Sequence, residues 1–368
     1  MYTFQLLTIT HDMSRGITIG DYTLRIYQLM FLLSFILGFQ ILKSILKREG
    51  ADEKWMDPLL TYSVVATVIG ARLGHVLFYQ PEYYLKHPLE ILMVWKGGLA
   101  SHGAAIAIIV AMYLFSKKVS KTPLLWILDR IVVVVALAAA FIRIGNYTNS
   151  EIYGKVENST VETVFLYPAQ EYFTSYYGSF FYDVSFEGTE KSFEQDGITY
   201  PVYTATFTTK ENANTERIAR EVEVNILRRL SSLDSEEQNL LPLPGAKADI
   251  ISPTEIRIDL LGVPRFPTQL FEAAAYLLIF VILVFMYLKT KKKHQLGFLF
   301  GTFLTLLFGF RFFVEFYKAN QVGFEEELTL NMGQILSIPL VLIGFYFMLT
   351  SPKRPFEYSK KQEANLSS

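Results

Sequence analysis

Ala138-Ala139-Ala140-Phe141-Ile142-Arg143-Ile144-Gly145-Asn146-Tyr147-Thr148-Asn149-Ser150-Glu151-Ile152-Tyr153-Gly154 carries an apolar helix directly into a polar patch. The apolar part closes a run near 124–144, long enough to cross a hydrocarbon core of about 30 Å as a helix. A guanidinium at the lip of such a run is costly in a bilayer, so Arg143 is a functional candidate by default. Gly145, Asn146, Asn149 and Glu151 follow it, a polar, turn-prone sequence better suited to binding a group than to ending a helix.

Six more stretches of similar length lie near 23–43, 58–79, 98–116, 268–288, 295–317 and 332–350. With 51% hydrophobic and 15% aromatic residues, the 368-residue chain is too apolar for an ordinary soluble domain. The expected fold is an all-α polytopic membrane bundle of seven transmembrane helices, with a small α+β domain inserted between the fourth and fifth. The first twenty residues lack a basic stretch followed by an apolar run and a small-residue cleavage site, so the first helix is expected to insert uncleaved.

Lysine and arginine set the expected orientation. Lys43, Lys47, Arg48 and Lys54 follow the first span, Lys117, Lys118 and Lys121 the third, Lys289 and Lys291 to Lys293 the fifth, and Lys353, Arg354, Lys360 and Lys361 the seventh. The alternate short loops carry only Lys86 and Lys96, or Lys318 beside Glu325-Glu326-Glu327. The positive-inside rule then puts the N-terminus outside and the C-terminus in the cytoplasm. The expected divisions are 1–154 (N-terminal extracytoplasmic segment and helices one to four), 155–264 (extracytoplasmic head), 265–351 (helices five to seven) and 352–368 (cytoplasmic tail).

A formal charge of −1 gives no reason to expect a nucleic-acid partner. The absence of cysteine excludes disulfides, thiolate catalysis and zinc-thiolate sites. His11, His75, His87, His102 and His294 are too scattered for a metal cluster, so neither metal nor cofactor is expected.

The segment 155–264 alternates like half-buried strands: Tyr182, Val184 and Phe186; Tyr203, Ala205 and Phe207; Ile256, Ile258 and Leu260. Ile218, Val222, Ile226 and Leu230 recur every four residues after the capping candidates Asn214 and Thr215, which predicts an amphipathic helix. Leu241-Pro242-Leu243-Pro244-Gly245 breaks regular structure before the last strand. No catalytic motif is visible there.

Under this topology Arg72, Arg143, Arg311 and Glu315 fall at the outer ends of outward-running spans. Tyr27, His102, Gln269 and Glu272 fall at the outer beginnings of inward-running ones. Arg311 and Glu315, four apart, share a helical face on which they can pair. Each has a plainer reading. Arg72 can snorkel to the headgroups. Gly97-Gly98-Leu99-Ala100-Ser101-His102-Gly103 can be a flexible loop, although glycines also permit close backbone approach to a ligand. Gly297 and Gly301 read as helix packing, and Tyr83, Tyr84 and Trp95 as an interfacial belt.

Six ordered blocks resemble the bacterial prolipoprotein diacylglyceryl transferases. They are Gly70-Ala71-Arg72-Leu73-Gly74-His75; Trp95-Lys96-Gly97-Gly98-Leu99-Ala100-Ser101-His102-Gly103; Arg143-Ile144-Gly145-Asn146 through Glu151-Ile152-Tyr153-Gly154; Pro267-Thr268-Gln269-Leu270-Phe271-Glu272; Arg311-Phe312-Phe313-Val314-Glu315-Phe316; and Met332-Gly333-Gln334-Ile335-Leu336-Ser337-Ile338-Pro339. The resemblance covers about 20–154 and 262–350 and leaves the head as an elaboration of unknown purpose.

That resemblance implies a monomeric enzyme of the bacterial inner membrane with its site toward the outer leaflet. It would move the diacylglyceryl group of phosphatidylglycerol to the lipobox cysteine of a prolipoprotein. In the roles it implies, Arg143 and Arg311 hold the phosphate and stabilise the leaving group, and His102 is the general base. Glu315 orients Arg311, while Tyr27, Arg72, Asn146, Glu151, Gly154, Gln269 and Glu272 complete the substrate-binding set. Three positions depart from the family pattern: Leu307 where tyrosine is usual, Phe266 where many members have histidine, and Lys318 in place of arginine. The rival reading is a non-catalytic lipid or lipopeptide transporter or sensor, against which the seven spans show no internal repeat.

Overall fold

The computed structural model describes residues 7–20, 22–94, 97–210, 214–232, 238–289, 294–319 and 329–358. Trp95, Lys96, Lys291 to Lys293, the acidic run 325–327, Lys360 and Lys361 lie outside the described residues.

In chain order the N-terminal strands are β1 (Leu7–His11), β2 (Gly16–Ile19) and β3 (Tyr22–Arg25). Helices α1 (Ile26–Glu49), α2 (Met56–Phe78), α3 (Pro81–Lys86), α4 (Ser101–Phe115) and α5 (Leu124–Thr148) follow. Next come β4 (Val161–Phe165), α6 (Tyr167–Tyr176), β5 (Phe181–Gln195), β6 (Ile198–Thr209), α7 (Thr215–Glu221), α8 (Leu227–Ser231), β7 (Leu240–Pro242), β8 (Asp249–Ser252) and β9 (Glu255–Gly262). The chain closes with α9 (Thr268–Lys289), β10 (His294–Gln295), α10 (Phe298–Val314), α11 (Met332–Thr350) and β11 (Pro355–Phe356). Among the described residues, seven helical segments are long and apolar enough to cross a membrane: Ile26–Glu49, Glu53–Phe78, Ser101–Ser120, Leu124–Thr148, Thr268–Lys289, Phe298–Tyr317 and Met332–Lys353.

The chain forms two compact units. One contains residues 1–32, 140–275 and 311–336; the other contains 33–139, 276–310 and 337–368.

In the first unit, β5, β6, β9 and β7 form an antiparallel sheet in that order, with β8 also paired to β9. Its inner face carries Val184, Ala205, Phe207, Ile256, Ile258 and Leu260, packed against Phe173 of α6 and the stripe Ile218, Val222, Ile226 and Leu230. Each large side chain so buried contributes about 1.5–3 kcal/mol. Two sequence expectations shift here. A register break between Phe181 and Asp183 turns Phe181 inward and leaves Tyr182 80% exposed, because a bulge reverses the side-chain parity that alternation assumes. The four-residue stripe is wider than an α-helical turn, and Val222–Ile226 relaxes into a π-helix that keeps its members on one face.

In the second unit α2 and α4 meet through glycine. A Cβ on Gly103 would lie 2.6 Å from Gly74 Cα and against the Gly70 carbonyl oxygen. Gly301 approaches Gly344 in the same way, its Cβ position lying 2.6 Å from the Gly344 carbonyl oxygen. Gly297, expected to share that packing role, instead precedes α10 at φ +87°, in the turn after β10. Asp129 caps α10 by accepting the backbone N–H groups of Gly297 and Phe300, both at 2.8 Å. Arg130 lies over Trp126 and donates to both carboxylate oxygens of the buried Glu49, at 2.8–3.3 Å.

Candidate active site

Helix α5 does not stop at Arg143. It runs on to Thr148, and Asn146 sits one turn further along, where Arg143 Nη1 donates to its Oδ1 at 3.3 Å. The helix ends in a Schellman motif: Glu151 N–H reaches the Asn146 carbonyl and Ser150 N–H the Tyr147 carbonyl, both at 3.0 Å. The left-handed residue of the motif is Ser150 (φ 54°) rather than glycine, and Ile152 (φ 58°) is left-handed as well. A β-branched residue in that region stores of order 1–3 kcal/mol, so the Glu151 loop is held by its surroundings. Gln269 Nε2 donates to the Glu151 carbonyl at 2.7 Å and Thr268 Oγ1 to the Ile152 carbonyl at 3.2 Å. His11, buried against Tyr147 and Phe165, lies 3.4 Å from the Ser150 hydroxyl.

Beyond this loop three segments form a small ladder. Gly154 N–H donates to the Phe266 carbonyl, Lys155 N–H to Tyr317, and Ala319 N–H to Tyr153, at 2.8–3.2 Å. Residue 154 must be glycine, because any Cβ would collide with the Phe266 carbonyl and lie 2.8 Å from its Cβ. Tyr27 lies against Gly145, where a Cβ would meet its ring at 2.8 Å.

The ladder places Lys318 beside the charged side chains. Lys318 Nζ contacts Glu272 Oε1 at 3.0 Å and Glu315 Oε1 at 3.1 Å. Arg143 Nε stands 3.4 Å from Glu272 Oε2, and Arg311 Nε 3.4 Å from Glu315 Oε1. Five alternating charges therefore run Arg143, Glu272, Lys318, Glu315, Arg311. The inner three side chains are 0–6% exposed, while Arg143 is 14% and Arg311 31% exposed, so the arginines form the accessible ends. Asn331 seats the far side of Glu315 through a 3.2 Å bond to Oε2 and caps α11 reciprocally with Gln334. Gly333 leaves room for that carboxylate, since a Cβ there would lie 2.5 Å from Glu315 Cδ.

The sequence pattern does not bring Lys318 forward, except that it follows Arg311 and Glu315 at helical spacing. Its substitution for arginine still supplies a cation between the two carboxylates. Asn331 carries no signal without its tertiary contact.

Arg72 and His102 belong to the second unit. Arg72 is 3% exposed and lies over Tyr84, with N–H groups directed at the carbonyls of Glu90, Ile91, Gly97 and Gly98 at 2.5–3.3 Å. This is the placement of a residue that holds the connection between α2 and α4. His102, second residue of α4, is half-buried and packs against Phe78 and Tyr79. Among the described residues no group of three or more His, Asp or Glu could hold a metal ion.

Seven apolar helices and a buried run of charges ending in two accessible guanidinium groups define a polytopic membrane protein with a charged cluster built into its fold. The family profile for prolipoprotein diacylglyceryl transferase matches residues 15–350, and the chain belongs to that family. It is 35% identical over 337 residues to the phosphatidylglycerol–prolipoprotein diacylglyceryl transferase of Tolumonas auensis, covering 92% of this chain and 95% of that protein. The corresponding proteins of Chloroherpeton thalassium and Porphyromonas gingivalis are 33% and 32% identical, over 93% and 89% of this chain and 94% and 89% of their own lengths. Alignments of that length take in most of 155–264, so a segment of this size is shared with these relatives.

Proposed function

We propose that this chain transfers the diacylglyceryl group of phosphatidylglycerol to the thiol of the lipobox cysteine in a prolipoprotein. A sulfur–carbon bond forms at the glycerol carbon, the carbon–oxygen bond to phosphate breaks, and glycerol phosphate leaves with the electron pair. Arg143 and Arg311 hold the phosphate and stabilise the charge gathering on it. His102 takes the thiol proton, whose ordinary pKa of about 8.5 leaves little thiolate at neutral pH. Glu272 and Glu315 orient the arginines, and Asn146 steadies Arg143 from the next helical turn.

The observation that carries this reading is the five-charge run with its two arginines at the accessible ends, in a chain of this family. The basic loops after the first, third, fifth and seventh spans support an N-out, C-in orientation in the bacterial inner membrane, with the site toward the outer leaflet.

The test is incubation of the purified protein with phosphatidylglycerol and a lipobox peptide, followed by peptide mass. A diacylglyceryl adduct is expected, greatly reduced in Arg143→Ala and His102→Gln. Absence of the adduct while the lipid is bound refutes the activity; full activity in both variants refutes the assigned roles.

A further inference from the structure

We propose that Lys318 is a positioning residue, whose single ammonium bridges Glu272 and Glu315 and thereby presents Arg143 and Arg311 as one phosphate-binding pair. The inference rests on the phosphate role given to the two arginines. Its side chain is 1% exposed, so it does not reach the lipid and acts through the carboxylates at 3.0 and 3.1 Å. Each of those carboxylates also holds one arginine through Nε at 3.4 Å. Among the described residues the ammonium thus joins the Arg143 half of the run to the Arg311 half.

Its charge matters as much as its position. The five side chains comprise three cations and two anions, and the surplus positive charge attracts a phosphate. Without the ammonium the run becomes neutral, and two buried carboxylates lose a common counter-ion. Each then leans more heavily on its arginine and draws that guanidinium away from an incoming anion. The backbone fixes the ammonium between them. Lys318 forms a bridge with Gly154, and the neighbouring Tyr317 carbonyl and Ala319 N–H are held by Lys155 and Tyr153.

Lys318→Met keeps the length of the side chain and removes the charge, whereas Lys318→Arg keeps the charge and can reach both carboxylates through separate nitrogens. With melting temperature followed to confirm folding, Lys318→Met is expected to raise KM for phosphatidylglycerol at least tenfold and leave KM for the lipobox peptide within twofold. Lys318→Arg is expected to restore the lipid KM to within threefold. Should Lys318→Met not fold, the same two readings on Lys318→Gln decide. Arg311→Gln is measured alongside. If it raises the lipid KM while folded Lys318→Met does not, the bridge is overturned; if neither raises it, the phosphate reading beneath it falls. A parallel loss for lipid and peptide that Lys318→Arg does not repair marks a purely structural lysine and also overturns the proposal.

Discussion

Gly103→Ala and Gly38→Ala place the same methyl group in two helices of one unit, with opposite expected outcomes. At Gly103 the added Cβ would lie 2.6 Å from Gly74 Cα and 2.9 Å from Gly74 N, besides striking the Gly70 carbonyl. These are backbone atoms that no rotamer change can move. Ordinary contact needs about 3.5–4.0 Å, so α2 and α4 must part by roughly 1 Å. Overpacking of this kind costs about 1–3 kcal/mol. At roughly 2–4 °C per kcal/mol, the melting temperature of Gly103→Ala falls by about 2–12 °C. At Gly38 the nearest atom would be Val134 Cβ at 3.5 Å, an ordinary contact. Replacing a mid-helix glycine there gains about 0.5–1 kcal/mol from backbone entropy, and the melting temperature rises. Thermal unfolding in detergent, read through tryptophan fluorescence, measures both, and the transfer assay should show a loss only in Gly103→Ala, because its displacement falls beside His102. A Gly103→Ala protein that melts with the wild type, or a Gly38→Ala protein that is equally destabilised, refutes the claim that glycine sets the α2–α4 distance.

Arg130→Met strips the buried Glu49 carboxylate of its guanidinium and should lower stability by about 3–5 kcal/mol, while Glu49→Leu/Arg130→Met recovers most of the loss; equal instability of single and double variants would exclude the ion pair as the cause. Burial holds the His11 imidazole below its ordinary value of 6.5. As pH falls through about 6.5 the unfolded chain takes up a proton that the folded chain refuses, so stability declines on acidification. His11→Gln should flatten the fall in melting temperature between about pH 8 and pH 5.5, and parallel curves would remove His11 from that dependence. Gly154→Ala should abolish transfer and lower the melting temperature together, since its Cβ would break the bond between residue 154 and Phe266. A stable, active Gly154→Ala protein would show that the ladder tolerates separation.

The spans were legible because a bilayer-crossing helix writes its requirement into contiguous composition, and α9 and α11 begin where the apolar runs near 268 and 332 begin. The pair of Arg311 and Glu315 was legible for a similar reason: four-residue spacing fixes proximity without tertiary information. The Glu151 loop was less so. Nothing local explains left-handed Ile152; its carbonyl accepts from Thr268 and that of neighbouring Glu151 from Gln269, each more than a hundred residues away.

The sequence by itself determined seven apolar helices, a strand-rich segment before the fifth, and the identity of the charged residues that a bilayer tolerates only for a purpose. Tertiary structure alone decided how those charges are shared. Arg72 stands among loop carbonyls, and Lys318, a single departure in the sequence, stands between two glutamates from different helical segments. A charge near the end of an apolar run shows that a partner is required, but which partner it meets depends on backbone segments distant in sequence, and only folding brings them together.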